Sequence, residues 1–181
     1  GKSSLFNRLT RSRTAIVARE AGTTRDNVVG KVSYKRRNVD SAPSDDYSQF
    51  WLIDTAGLKT AEDEFEATIQ DQIADASAAA DVILVTVDST VYPSDADRQL
   101  AKKALKSGKP VILIANKADL KGSLSIDEFK RLGIKNIIKT SAEHSIGISE
   151  LLDSIAELIP PATETAPDDI IRVALIGRPN V

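Results

Sequence analysis

The sequence contains no cysteine, which excludes disulfides, zinc fingers and thiol catalysis. It has a single histidine, His144, so a Ser-His-Asp mechanism would have to run through that one residue. His144 follows a Ser-Ala pair in a polar stretch and is expected as an exposed loop residue rather than a catalyst. There is no excess of charge of one sign. The 24 Lys and Arg against 26 Asp and Glu leave a formal charge of −2. That gives no electrostatic ground for binding nucleic acid or a membrane surface by the whole chain, and no DNA partner is expected. No apolar run approaches membrane-spanning length, and no signal peptide precedes the first motif, so the chain reads as cytoplasmic. Methionine is absent even at position 1, which fits a fragment better than a natural start. The length of 181 residues suits one globular domain.

What is present is concentrated first at the two ends. The chain closes on Gly177-Arg178-Pro179-Asn180-Val181 and opens on Gly1-Lys2-Ser3-Ser4. Read from end to start, these spell G-R-P-N-V-G-K-S-S, the phosphate-binding pattern G-x-x-x-x-G-K-[ST]. Such a loop wraps backbone N–H groups around phosphate oxygens at a helix N-terminus. Its lysine is a point charge on the outer phosphates and its hydroxyl ligates Mg²⁺; here these are Lys2 and Ser3.

Between the ends, hydrophobic periodicity alternates between two kinds of element. Residues 2–9 space Leu5, Phe6 and Leu9 as a helix. Residues 10–26 form a polar loop carrying Gly22-Thr23-Thr24-Arg25-Asp26. Residues 27–36 and 47–53 read as two strands, antiparallel to one another. The small basic cluster Lys35-Arg36-Arg37 between them reads as a solvated strand edge. The second strand delivers Asp54-Thr55-Ala56-Gly57 at its carboxyl end, where an open α/β sheet keeps its ligand chemistry. Residues 62–80 are acidic and then Ala-rich, a helix. Residues 81–88 and 110–115 are near-continuous apolar strands, buried on both faces. Residues 94–107 are a helix with acids early, lysines late and Gly108 as its stop. Short elements are expected at 126–132 (helix) and 136–139 (strand). Residues 147–158 form an amphipathic helix, 160–169 a Pro- and acid-rich linker, and 170–176 a final strand.

The strand at 110–115 ends in Asn116-Lys117-Ala118-Asp119. A carboxylate at Asp119 can accept two hydrogen bonds from guanine N1–H and its 2-amino group. Adenine offers neither donor there and would leave the carboxylate unpaired. A plain surface turn would also suit these four residues. Their order after the phosphate and Asp-x-x-Gly motifs favours base recognition.

Taken from the split loop, the motifs G-R-P-N-V/G-K-S-S, T-T-R-D, D-T-A-G, N-K-A-D and S-A resemble those of Ras-like translation-factor-class GTPases. More narrowly, the chain resembles the first G domain of the tandem-G-domain ribosome-assembly GTPases, the Der (EngA) family. The stretches G-T-T-R-D, S-G-K-P-V-I-L-I-A-N-K-A-D-L and S-A-E-H-S-I-G-I-S-E-L-L carry that likeness. It implies an α/β Ras-like P-loop fold, a six-stranded mostly parallel sheet with helices on both faces. It also implies GTP or GDP as ligand, Mg²⁺ and K⁺ as ions, and the large ribosomal subunit as partner.

By position, the resemblance places Gly177, Asn180, Val181, Gly1, Lys2, Ser3 and Ser4 around the phosphates. Thr24 is implied to close on Mg²⁺ and the γ-phosphate, with Asp54 and Gly57 in the second switch. Asn116, Lys117 and Asp119 would select guanine, backed by Ser141 and Ala142. The metal ligands are implied to be Ser3, Thr24, Asp54 and Asn180; Lys2, Thr24, Gly57 and Asn180 would serve turnover. Leu58 stands where Ras-like enzymes carry a water-orienting Gln, as this family implies. Asn180 and the Thr23-Thr24-Arg25 loop imply K⁺-stimulated hydrolysis. Glu66 matches a water-orienting glutamate of the related MnmE tRNA-modification GTPases, though a solvated helix carboxylate suits it equally.

Three organisational expectations follow. Residues 1–159 would be a G domain lacking its first strand, 160–169 a linker, and 170–181 a first strand with half a P-loop. In such a sheet the first strand is central, so a gap would leave orphaned backbone groups costing of order a few kcal/mol each. The linker, at roughly 3.3 Å per residue, is long enough to bring the last strand into that gap. The domain is thus expected to be circularly permuted, or to exchange the strand in a homodimer. A loop split at Val181 and Gly1 is expected to impair nucleotide binding and turnover. The competing readings are an MnmE-like tRNA-modification G domain and a catalytically silent binding module.

Overall fold

The computed structural model describes residues 1–11, 17–19, 28–35, 47–54, 80–159, 171–178 and 181. In chain order the elements are α1 (Lys2–Arg11), β1 (Val17–Arg19), β2 (Val28–Lys35), β3 (Tyr47–Asp54), β4 (Val82–Asp88), α2 (Asp95–Lys106), β5 (Val111–Asn116), α3 (Asp127–Lys130), β6 (Asn136–Lys139), α4 (Ile148–Leu158) and β7 (Arg172–Gly177). The linker 160–169 and the helix expected at 62–80, apart from Ala80, lie outside the described residues.

The strands form one sheet in the order β1-β2-β3-β7-β4-β5-β6. The last strand of the chain therefore occupies the centre. It runs parallel to β3, pairing Leu52 with Val173 and Asp54 with Leu175. On its other side it runs parallel to β4, pairing Val82 with Val173 and Thr86 with Gly177. Its residues Val173, Ala174, Leu175 and Ile176 are fully buried. Burying a Val, Leu or Ile contributes about 1.5–3 kcal/mol each, and the strand also satisfies the facing backbone groups of two neighbours. β7 does this within its own chain, so the exchange of a strand between two copies gains no support. The expected six strands become seven. The polar stretch 10–26 holds a three-residue strand, β1, antiparallel to β2 with Val17 opposite Gly30. Three residues are too few to show a period, and backbone pairing to a sheet edge decides the outcome.

Each face of the sheet is covered. Alternation along the central strands sends Leu84, Ile112, Ile114, Val173 and Leu175 to one side, against Leu5, Phe6 and Leu9 of α1 and Leu151, Leu152 and Ile155 of α4. It sends Ile83, Val85, Leu113, Ala174 and Ile176 to the other, against Leu100, Ala101 and Ala104 of α2 and Phe129 of α3. This is why β4, β5 and β7 read as unbroken apolar runs. α2 starts as its sequence demands. The Ser94 side chain accepts from Asp97 N and Asp97 in turn accepts from Ser94 N, a complete capping box. Lys103 and Lys106 sit in its last turn, and Gly108 follows at φ +73°.

Candidate functional site

The carboxyl ends of β7, β3, β4 and β5 carry the residues singled out from sequence, and α1 springs from the same end. The two halves of the split loop meet there: Lys2 Nζ donates to the Gly177 carbonyl at 2.5 Å. Gly177 has no room for a side chain. An added Cβ would lie 2.5 Å from the Thr86 carbonyl oxygen and 3.2 Å from Lys2 Cδ. Val181 is buried, and Gly1 opens α1 by accepting from Leu5 N at 3.0 Å. The Gly1 ammonium donates to Ser4 Oγ at 3.2 Å, while Ser3 is exposed.

Lys2 is the electrostatic centre of this end. It is only 7% exposed. Burial holds its ammonium below the usual lysine range, and the nearby Asp54 carboxylate, itself buried, opposes that shift. Lys2 is thus a desolvated cation whose environment favours an anion beside it. The Gly1 ammonium is lowered too, by burial and by Lys117, with Asp88 and Glu143 pulling the other way.

The first half-loop is also anchored from the side. Arg178 Nε and Nη2 donate to the two oxygens of Asp97 at 2.7 and 2.9 Å, and the Asp97 side chain is 2% exposed. The planar guanidinium matches both carboxylate oxygens at once. The carboxylate that caps α2 therefore also fixes Arg178, the residue after β7.

The second cluster forms at the ends of β4, β5 and β6. Lys117 adopts a left-handed φ of +67°, costly for a residue with a Cβ. Its Nζ donates to Asp88 Oδ2 at 2.6 Å. Thr90 donates to the other Asp88 oxygen through its N–H at 2.8 Å and its hydroxyl at 2.6 Å. Burial alone would push Asp88 up, but the bonds from Lys117 and Thr90 outweigh it and leave the carboxyl below its usual range. Asn116, buried at the end of β5, turns to the neighbouring loop. Its Oδ1 accepts from Thr140 Oγ1 at 3.1 Å and from Ala142 N at 3.2 Å. Asp119 receives a hydrogen bond from the Ser141 hydroxyl, which holds its carboxyl below the usual range against slight desolvation. His144, expected as an exposed loop residue, is 59% exposed with Nε2 3.6 Å from Asp119.

The loop from Ser141 to Gly147 closes on itself through Ser141 N donating to Ile146 O at 3.0 Å. Gly147 sits at φ +68°, and an added Cβ there would lie 2.0 Å from the Lys139 carbonyl oxygen. Only glycine fits that corner.

The structure thus brings together Gly1, Lys2, Gly177 and Asp54 at one cluster and Asn116, Lys117, Asp119, Ser141 and Ala142 at the other. Gly1 links the two through its electrostatic proximity to Lys117 and Asp88. Thr24, Gly57 and Asn180 lie outside the described residues, as do Thr23, Arg25, Leu58 and Glu66. The roles of Asp88, Asp97, Arg178 and Arg8 are not announced by the sequence. Only Asp97 left a local signal, the Ser-x-x-Asp spacing of a capping box. Among the described residues, no helix is long and apolar enough to cross a membrane.

Comparison with known proteins bears on this arrangement. Residues 1–117 match the family described as 50S ribosome-binding GTPase. The chain is 40% identical over its whole length to GTPase Der of Gemmatimonas aurantiaca, and 39% identical over 99% of its length to GTPase Der of Porphyromonas gingivalis. It spans only 39% and 40% of the lengths of those two curated relatives. Among solved structures it is similar to Era in complex with MgGDPNP and nucleotides 1506–1542 of 16S ribosomal RNA, at TM-score 0.62 and 26% identity, covering 94% of this chain and 57% of that one. The G domain of the T. maritima FeoB iron transporter shares the fold, at TM-score 0.56 and 24% identity over 87% of this chain and 91% of that one.

Proposed function

The chain belongs to the 50S ribosome-binding GTPase family, and we propose that it is a guanine-nucleotide switch domain that binds and hydrolyses GTP in large-subunit assembly. The observation that carries this reading is the buried Lys2 ammonium on the Gly177 carbonyl at 2.5 Å. It sits beside a second cluster, where Asp119 offers a carboxylate held ionised by Ser141. One end suits phosphate and the other a base that presents paired N–H donors.

Roles follow from chemistry. Lys2 neutralises the outer phosphates, while Gly1, Ser4, Gly177 and Val181 line the loop around them. Ser3 and Asp54 offer hydroxyl and carboxylate oxygens of the kind Mg²⁺ takes, with Thr24 as the proposed further Mg²⁺ ligand. Bound Mg²⁺ would supply charge neutralisation along the phosphates. Asn116 braces the base loop, and Asp119 selects guanine over adenine. Thr24, Gly57 and Asn180 complete the hydrolytic set, with K⁺ held at Asn180. In domain terms, residues 1–159 and the strand within 170–181 make one G domain, joined by 160–169, working in the cytoplasm. A carboxylate at Val181 and an ammonium at Gly1 weaken phosphate binding in a polypeptide with these termini, relative to one joined there.

The test is GTP hydrolysis in K⁺ against Na⁺ buffers, alongside GDP and ADP binding. The reading expects GDP to bind well ahead of ADP and turnover to rise in K⁺. GDP binding without hydrolysis in either buffer leaves a nucleotide-binding module that is not an enzyme. No preference between GDP and ADP overturns the guanine reading.

A further inference from the structure

Arg8 lies on α1, the helix that begins at the phosphate lysine, yet its guanidinium does not face the phosphate end. Its Nε donates to the Ala142 carbonyl at 2.8 Å and its Nη2 to the Glu143 carbonyl at 2.7 Å. These are successive carbonyls of the loop that carries Ser141. The opposite side of the same residue is also held, since Ala142 N donates to Asn116 Oδ1 at 3.2 Å. Ala142 is therefore pinned at its N–H by β5 and at its C=O by α1. Its side chain is buried in the same core cluster as Leu5 and Leu9 of α1. The base loop rests on the phosphate helix, and Arg8 is the polar link between them.

We propose that Arg8 is a positioning residue that couples the phosphate end of the site to the base end, holding the Ser141–Glu143 loop in register with α1. This rests on the guanine-nucleotide reading given above. A ligand that touches both ends gains from two sites set in advance at the right separation. A ligand that touches only the phosphate end gains nothing from Arg8. A planar guanidinium presents its donors to two adjacent carbonyls in a fixed fork, whereas a lysine carries its three donors on one nitrogen at the end of a flexible stem and is less pre-organised for the pair. Arg8 is only partly buried and its bond to Glu143 is exposed, so the effect falls at the lower end for charged hydrogen bonds.

The experiment compares the full chain with Arg8→Met and Arg8→Lys. It measures binding of GDP, ADP and inorganic pyrophosphate, dissociation of a fluorescent GDP analogue, and the thermal midpoint. The expected result is a loss of GDP affinity of about tenfold in Arg8→Met, mostly as faster dissociation. Pyrophosphate affinity stays within about twofold. Arg8→Lys recovers part of the GDP loss. Equal losses for GDP and pyrophosphate mean that Arg8 merely stabilises α1, and overturn the proposal. Unchanged GDP binding in Arg8→Met overturns it as well. A wild-type chain that binds pyrophosphate but does not prefer GDP to ADP removes the guanine reading and this inference with it.

Discussion

Replacing Lys2 by Met separates what this residue does for folding from what it does for a ligand. In the free chain the Lys2 ammonium is buried and held below its usual pKa, mainly by desolvation. A lysine in that state lowers stability at every pH below its folded pKa. The cost disappears only as the pH rises past the ordinary lysine value of about 10.4. Methionine keeps most of the apolar stem and removes the charge. Against this stands the lost charged bond to the Gly177 carbonyl at 2.5 Å, which contributes about 1.5–3 kcal/mol. Removing a desolvated ammonium recovers at least as much, because burying a charge costs several kcal/mol before partners offset it. The free Lys2→Met chain is therefore expected to be as stable as wild type or up to about 2 kcal/mol more stable, a rise of about 4–8 °C at most. With nucleotide the order reverses. GDP at 100 times its dissociation constant stabilises wild type by about 2.7 kcal/mol. On the proposed role of Lys2, losing the lysine is expected to weaken phosphate binding about 100-fold or more. The same GDP concentration then stabilises the variant by only about 0.4 kcal/mol. Thermal unfolding with and without GDP reads both effects. A free variant that loses more than about 1 kcal/mol while keeping the full GDP response would overturn this assignment of Lys2.

Two further outcomes follow from the same geometry. Thr86, on β4 opposite Gly177, has a buried hydroxyl with no hydrogen-bond partner among the described residues. Thr86→Val keeps the shape and removes that unpaired group, so it should stabilise the chain by about 0.5–2 kcal/mol in denaturant unfolding; a loss of stability would mean that the hydroxyl is satisfied. Asp88 is held below its usual pKa in the folded chain. Its contribution is present above the unfolded carboxyl value of about 3.9 and is lost as the pH falls through the lower folded one. The difference in thermal midpoint between wild type and Asp88→Asn should therefore be constant at neutral pH and shrink below about pH 4; a gap independent of pH would remove the Lys117 pair as its origin.

The sheet was legible because its information is local. Apolar runs of strand length, the Ser94 and Gly108 boundaries of α2 and the one-sided pattern of α4 each declare themselves within a dozen or so residues. The central place of β7 was legible for another reason. Its last residue, Gly177, begins a motif whose other half stands at Gly1 and Lys2, so two distant segments named each other. What stayed hidden has no such partner in the sequence. Asp88 meets Lys117 across 29 positions, Arg178 meets Asp97 across 81, and Arg8 meets Ala142 across 134. An aspartate ending a strand or an arginine on a helix looks like ordinary surface chemistry until the fold brings its partner alongside. The brief β1 was hidden for a different reason, since three residues show no hydrophobic period and only pairing with β2 marks the strand.

The most direct measurement of the central claim is a competition titration of GDP against XDP on wild type and on Asp119→Asn. On the proposed guanine reading the Asp119 carboxylate would accept from guanine N1–H and the 2-amino group, so GDP should win by about 100-fold or more. The asparagine amide instead donates to the 2-oxo group of xanthine, so the preference should reverse. An Asp119→Asn chain that still binds GDP as wild type does, and ignores XDP, would contradict the placement of the base at the end of β5.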